Sequence, residues 1–543
     1  MTDIELPLDK RTKSYRFFEI LPAAISYGFI ILLVVLSLVN PFLAALYLLA
    51  IILTLFIKSL GIAARTIQGY GQMKSAQAAD WHKRLRDVRI AENPSKSLDS
   101  IEGSGFLHKQ HLENLEKIRN FPDIYPKVDD IYQAVLIASY NEGIETLEPT
   151  IQAVADTDFP NNRIILVMAF EERGGKDMEN TIKELEKKFS TTFHAFLPVK
   201  HPKNLKHEII GKGANVTFAG KHLSHWLEGK DIQDENIIIT TLDSDNRPDK
   251  KYFSYVTYEY ITRENRQNLS FQPIALFLNN IWDAPAPMRV VATGNSFFNI
   301  IMSMRPHILR NFASHSQPLK ALKEMDFWSV RTVVEDGHQY WRSYFHFDGK
   351  YAVIPIYVPI YQDAVLSHTY WKTLKAQFGQ VSRWAYGASD IPYVAVRVLT
   401  KKRTVPFVSG IAHLFRLMDN HTTWASMSVI VAFGGWVPLL INPESSRSII
   451  VHELPEVISL IQRLATIGLF VTIFLTFKML PPRPERYKRH RNFLMLIQWV
   501  LMPVTAIAYG SISAFYSQTR LALGRYMDEF NVTEKVVKSQ TRK

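Results

Sequence analysis

The sequence predicts an α/β domain built on a parallel sheet and inserted between membrane-spanning α-helices. Three observations predict it. Long apolar runs lie near both ends of the 543-residue chain, short aliphatic runs alternate with helical stretches between them, and several of those runs stop at polar clusters. The chain is also too long for one ordinary domain.

The first apolar run covers Leu21 to Ile57 without a charged residue, and Asn40-Pro41 divides it into two stretches of about 20 residues, each enough to cross a bilayer. It is too long for a cleaved signal peptide, so it stays in the mature protein. Residues 1–20 are then an N-terminal segment and 21–60 a transmembrane hairpin. Residues 61–130, polar and rich in Lys, Glu and Asn, form a connector.

The α/β domain, with interfacial helices at its end, occupies 131–400. "YQAVLIASYNEG" (132–143) is a buried strand stopping at a polar loop, followed by a helix over "IETLEPTIQAVAD". "RIILVMAF" (163–170) is the second strand, "KDMENTIKELEKKF" the next helix and "TTFHAFLPV" an extended piece. "IIGKGAN" is a turn, a helix runs from about Val216 to Leu227, and "NIIITTL" (236–242) is a further strand. In open parallel sheets ligands bind outside the carboxyl ends of the strands. Tyr140-Asn141-Glu142, Glu171-Glu172 and Asp243-Ser244-Asp245 all fall there and should converge on one crevice.

After an interfacial segment at 401–423, three spans fall within 424–513: Trp424 to Asn442, Val457 to Leu480, and Phe493 to Ser513. Residues 514–543 form an interfacial tail, with Leu, Tyr, Met and Phe on one side of a helix in "QTRLALGRYMDEFNVTEK". Lys10, Arg11, Lys13 and Arg16 precede the first span and Lys58 and Arg65 follow the second, which places both ends of the hairpin, and the domain, in the cytoplasm. The 443–456 loop has one basic residue, Arg447, whereas "KMLPPRPERYKRHR" has six, so these loops are outside and inside respectively. Five crossings would leave the tail outside, yet its basic bias places it inside. The last apolar run is therefore re-entrant, or one span fewer is present.

The net charge of +12 is explained by these juxtamembrane clusters, which favour anionic lipid, and no nucleic-acid-binding module accompanies it. Zero cysteines exclude disulfides, thiolate zinc sites and cysteine nucleophiles, and the 17 His include no pair at metal-ligand helical spacing with acidic company.

Three constellations carry chemistry. Asp243 and Asp245, one residue apart at a strand end, can hold a hard divalent cation that a bound phosphate helps ligate; as a bland alternative, "DSDNRP" is a solvated Asx-type turn. Glu335-Asp336 precedes an aromatic-rich helix, where either residue can serve the helix N-terminus, or one can be a general base accepting a hydroxyl proton. Gln380 shares a helix face with Arg383 or Trp384. These residues suit a diphosphate and a sugar ring, or an interfacial helix with a snorkelling Arg.

The order YNE, KGAN (212–215), DSD, "ATGNSFF" (292–298), VVED, QVSRW, then spans resembles family 2 glycosyltransferases of the GT-A fold, in the membrane-embedded branch that includes cellulose, chitin and hyaluronan synthases; it covers about 130–520. The resemblance implies a Rossmann-like GT-A domain in the cell membrane and inverting transfer from a nucleotide sugar, UDP-linked by expectation, to a hydroxyl. It places Tyr140, Glu142 and Glu171 by the nucleoside, Lys212 by the diphosphate, and Asp243 and Asp245 on the nucleotide and its Mg2+ or Mn2+. Asp336 would be the catalytic base, Gln380 and Arg383 would hold the diphosphate, and Trp384, Glu335 and Gly294, the last on an acceptor-side loop, would serve the acceptor. The implied partners are the donor, a glycan or lipid acceptor, membrane lipids and, for a polymer product, accessory subunits, with no nucleic acid. Non-processive transfer to a polyprenyl phosphate or diacylglycerol is the alternative, and a non-catalytic transport or scaffold subunit a further one. Two departures stand out. Ala138-Ser139 replaces the usual Pro before the YNE triplet, and Phe170-Glu171-Glu172-Arg173-Gly174 replaces an Asp-Asp-Gly-Ser type strand end, with Glu171 reaching one methylene further. The tail is too short for a cyclic-dinucleotide-binding domain, so no such regulation is expected.

Overall fold

The computed structural model describes residues 4–7, 11–93, 95–98, 101, 103–442 and 449–528; the tail expected beyond 528 lies outside the described residues. An eight-stranded sheet forms the centre, in the order β3-β2-β1-β4-β7-β6-β8-β5. Its strands are β1 Tyr132–Ser139, β2 Ile164–Glu171, β3 Ala195–His201, β4 Ile237–Asp243, β5 Arg247–Pro248, β6 Leu269–Leu276, β7 Ser316–Pro318 and β8 Ala352–Tyr361. β1 pairs in parallel with β2 and β4, and β2 with β3. This half is the expected alternating α/β unit, with every position of β2 buried, as continuous aliphatic runs require. In the other half β7 is antiparallel to β4 and β6, while β6 and β8 are parallel.

Register fixes the site. Ala138 lies opposite Asp243 and Ser139 opposite Phe170, so the carboxyl ends of β1, β2 and β4 finish side by side. With β2 on one side of β1 and β4 on the other, the chain reverses direction across the sheet there, and a crevice opens.

Two local expectations change. The KGAN tetrapeptide is no separate turn: it is the first turn of helix Lys212–Leu227. Gly213 is needed because a Cβ there would come within 2.5 Å of Ser329 O. ATGNSFF is not a loop but part of helix Ala286–Ser303, where Gly294 is exposed.

The membrane helices differ in extent from the apolar runs. The first is Lys13–Val39 and the second Pro41–Ala78, with Asn40 capping the second through Phe42 N at 3.0 Å. The second continues well past the last apolar residue into the domain, where Gln77 Nε2 donates to Asp249 at 2.8 Å. The first part of the expected connector, 61–78, therefore continues that helix. The rest, with helices Trp81–Ala91 and His108–Asn120, packs on the domain, Trp81 stacking on Tyr255 at 3.6 Å. The third span begins at Phe407, within the segment expected to be interfacial. Among the described residues four helices are long and apolar enough to cross a membrane: Lys13–Val39, Pro41–Ala78, Phe407–Ile441 and His490–Ala522. Leu454–Met479 forms a further 26-residue helix.

Contacts sort these helices by side. Asn442 Nδ2 donates to Ser37 O at 3.0 Å, which places the end of the Phe407–Ile441 helix beside the end of the first, far from the domain. Helix His490–Ala522 behaves differently. Before its start Arg486 pairs with Asp283 of the domain at 2.8 Å, and at its end Arg16 donates to Ala522 O at 2.8 Å, beside the beginning of the first span. Both ends lie on the domain side. The reason is an amphipathic helix: Gln498, Ser517 and Gln518 are buried against Arg289, Ser382 and His421, while Phe493, Val500, Val504 and Ile512 are exposed. These contacts put the two ends of the last apolar helix on the same side of the molecule, near the start of the first span, as the re-entrant alternative expects.

Candidate active site

One cleft opens at the carboxyl ends of β1, β2 and β4. Tyr140, Glu142, Glu171, Lys212, Asp243, Gln380 and Arg383 line it, together with Arg173, Asn215 and Ser244. The residues assigned to the donor side from sequence thus meet, although they come from segments far apart in the chain.

Each is held from behind. Glu142 Oε2 accepts from Tyr140 N at 2.8 Å and its Oε1 from Ser244 Oγ at 3.0 Å, tying the end of β1 to the end of β4. Thr150 Oγ1 donates to Ser244 O at 2.7 Å, and Asn215 Nδ2 donates to Ala169 O at 2.9 Å. Arg173 was not singled out in the sequence. Its guanidinium sits 4.9 Å over the Tyr140 ring and 3.2 Å from Glu171, whose carboxylate also faces His201 at 3.2 Å. Burial alone would lower the His201 pKa, but Glu171 and Glu208 outweigh it and raise it. The EERG departure therefore builds an Arg-over-Tyr wall at the end of β2.

The cleft floor is ionic. Lys212 Nζ lies 2.6 Å from Asp243 Oδ1, with the lysine side chain 9% and the aspartate 33% exposed. Burial opposes the lysine charge, but Asp243, Glu335 and Asp336 outweigh it and raise the Lys212 pKa. Burial lowers that of Arg383, against the pull of Glu335, Asp243 and Asp336. Glu335 is pushed up to about 8, by burial first and then by the Asp336 carboxylate. Asp336 is raised by burial, with Lys212 and Arg383 pulling the other way. Its Oδ1 accepts from Gly337 N at 2.7 Å, so it serves the first turn of helix Glu335–His346. Three carboxylates and two cations thus form one cluster, in which burial raises the proton affinity of Glu335 and Asp336 above that of an ordinary carboxylate, as a general base requires.

Other residues stand apart. Asp245 is 4% exposed, does not line the cleft, and accepts from Asp363 N at 3.0 Å. Trp384 is half-buried with its ring 6.1 Å from Phe277, in an apolar cluster that also contains Ala292 and Phe297. Trp384, Glu335, Asp336 and Gly294 do not line the cleft. Among the described residues no group of three or more His, Asp or Glu could by itself hold a metal ion. The donor set nevertheless fits a hard cation that a phosphate-bearing ligand helps coordinate, since Asp243 faces the cleft and the available donors are carboxylate oxygens.

No protein-family model and no curated protein matches this chain. Among solved structures it is similar to the mannosyltransferase PcManGT from Pyrobaculum calidifontis in complex with GDP-Man and Mn2+, at a TM-score of 0.41 and 12% identity over 84% of this chain and 99% of that one. It is also similar to S. aureus TarS 1-349 in complex with UDP (TM-score 0.34, 11% identity, 73% of this chain and 93% of that one) and with UDP-GlcNAc (0.34, 12%, 73% and 93%).

Proposed function

We propose that this chain is a membrane-embedded inverting glycosyltransferase of family 2, moving a sugar from a UDP-sugar to a hydroxyl of a growing polysaccharide, with its α/β domain on the cytoplasmic face of the cell membrane. The observation that carries the reading is the meeting of Lys212, Asp243 and Arg383, from three separate segments, beside the buried Glu335-Asp336 pair. A site with two cations balanced by carboxylates suits a diphosphate.

Tyr140, Glu142 and Glu171, with Arg173, receive the nucleoside. Lys212, Gln380 and Arg383 bind the diphosphate, and the lysine exchanges part of its bond to Asp243 for phosphate oxygens. Asp243, which faces the cleft, is the residue that would hold Mg2+ or Mn2+, which when bound supplies Lewis-acid stabilisation of the leaving group; Asp245, buried outside the cleft, would share the ion only by turning from Asp363 N. Asp336 takes the acceptor proton as the acceptor oxygen bonds to the anomeric carbon and the bond from that carbon to the diphosphate oxygen breaks. Trp384 and Glu335 border the acceptor.

The test is nucleoside-diphosphate release by purified protein across UDP- and GDP-sugars, with Mn2+, Mg2+ or chelator, and with the product sized. Metal-dependent release with one donor and a polymeric product is expected. Release that persists in chelator contradicts the metal role, and single-addition product at excess donor contradicts polymerisation.

A further inference from the structure

Four arginines gather away from the cleft, where the spans meet the domain. Arg65 lies on the second membrane helix, Arg416 on helix Phe407–Phe433, and Arg305 and Arg310 on the segment after helix Ala286–Ser303. Close packing assembles them. A Cβ on Gly69, one helical turn from Arg65, would sit 3.1 Å from Met304 Cγ, and Leu417, next to Arg416, shares an apolar cluster with Leu309. The positive field is felt locally: the pKa of exposed His307 lies below its ordinary value, through desolvation first and then through Arg305, Arg416 and Arg65.

The cluster lacks a carboxylate partner of its own among the described residues, and Arg310 instead lies 4.7 Å over the Trp341 ring. Among the described residues none of these arginines forms an ion pair; the nearby Asp419 is engaged by Lys58 at 3.6 Å, and Asp390, the carboxylate that acts on Arg310, is bonded to His338 at 2.6 Å. Arg305 Nε is sealed from solvent and has no acceptor. A buried donor without an acceptor is costly, and beside Arg65 and Arg416 an anion would supply the acceptor and balance the charge. Ile62, Phe298 and Phe415 flank the cluster with exposures of 47%, 48% and 72%, so the anion arrives beside an apolar, lipid-facing surface.

We propose that Arg65, Arg305 and Arg416 form a binding site for the phosphate headgroup of an anionic membrane lipid, on the domain side of the bilayer. Arginine forks match phosphate oxygens, and the lipid tails cover the flanking phenylalanines. The site depends on the membrane embedding of the chain and not on the transferase reading.

The test places the full chain in nanodiscs of phosphatidylcholine with or without phosphatidic acid, and reads retained lipid by native mass spectrometry and the melting temperature. Wild type should retain the anionic lipid and melt higher with it. Arg305→Gln/Arg416→Gln should retain about tenfold less and lose the shift, as expected when charge-assisted contacts are removed. Arg416→Gln alone, at an exposed position, supplies a variant that folds as wild type in neutral lipid. Equal retention by wild type and both variants overturns the site. An equal shift from inorganic phosphate in neutral lipid overturns the lipid as its ligand.

Discussion

Asp336 and Glu335 are adjacent, yet burial and mutual repulsion give them one ionisable system beside Lys212. The Glu335 carboxyl is raised from 4.5 to about 8. Over that window the folded chain holds a proton that the unfolded chain has released. Stability from this group is therefore fully present below the ordinary carboxylate value and is lost as pH rises to about 8. Ligand-free wild type should melt progressively lower across this window, and Glu335→Gln should flatten the decline; parallel slopes in the two proteins would contradict the shift. The sequence made the residues of the cleft legible because strand ends announce themselves as polar stops after aliphatic runs. It did not reveal Arg173, whose partner Tyr140 is on another strand, nor that Trp384 turns toward Phe277, because both depend on tertiary packing.

Among elements, helix Glu335–His346 is held near its first turn by helix Asp390–Val398, which follows the QVSRW helix. A buried pair does this: His338 Nδ1 lies 2.6 Å from Asp390 Oδ1, just beyond the QVSRW helix. The ring stands edge-on to Tyr393 at 4.5 Å. Asp390→Asn keeps the shape and weakens the bond. It should lower kcat about tenfold or more, since small misplacements of a base are costly, while donor affinity holds. Equal loss of affinity and turnover, or loss of neither, would contradict a positioning role. Neither partner stood out in the sequence, since a His and an Asp far apart in the chain carry no periodic signal. Strand pairing shows the same limit. β1, β2 and β4 were readable as alternating units, whereas the parallel β6–β8 pairing joins distant segments. Helix boundaries were misread where Lys58 and Arg65 ended the apolar run, because long basic side chains snorkel while the helix continues to Ala78.

For the whole molecule, helix His490–Ala522 has both ends on the domain side, with Gln498, Ser517 and Gln518 buried against protein and Phe493, Val500, Val504 and Ile512 exposed, and a re-entrant path for it makes a definite prediction. The chain contains no cysteine, so single substitutions report topology cleanly. Cysteines at Arg486 and Arg525 should be labelled from the same side of sealed vesicles, and one at Asn40 from the opposite side. Labelling of Arg486 and Arg525 positions from opposite sides would make the last helix a full span. The same architecture packs the QVSRW helix of the α/β domain on the last apolar helix through Ser517 Oγ, which donates to Ser382 O at 2.6 Å.

The division of labour in that domain is the central claim: the cleft binds the donor, and Asp336 takes the acceptor proton. The most direct measurement compares UDP binding and turnover of Asp336→Asn and Asp243→Ala in one preparation. Asp336→Asn should bind UDP as wild type does and lose turnover by orders of magnitude, while Asp243→Ala should lose binding. Asp336→Asn that turns over normally, or that fails to bind UDP as completely as Asp243→Ala, would contradict the account.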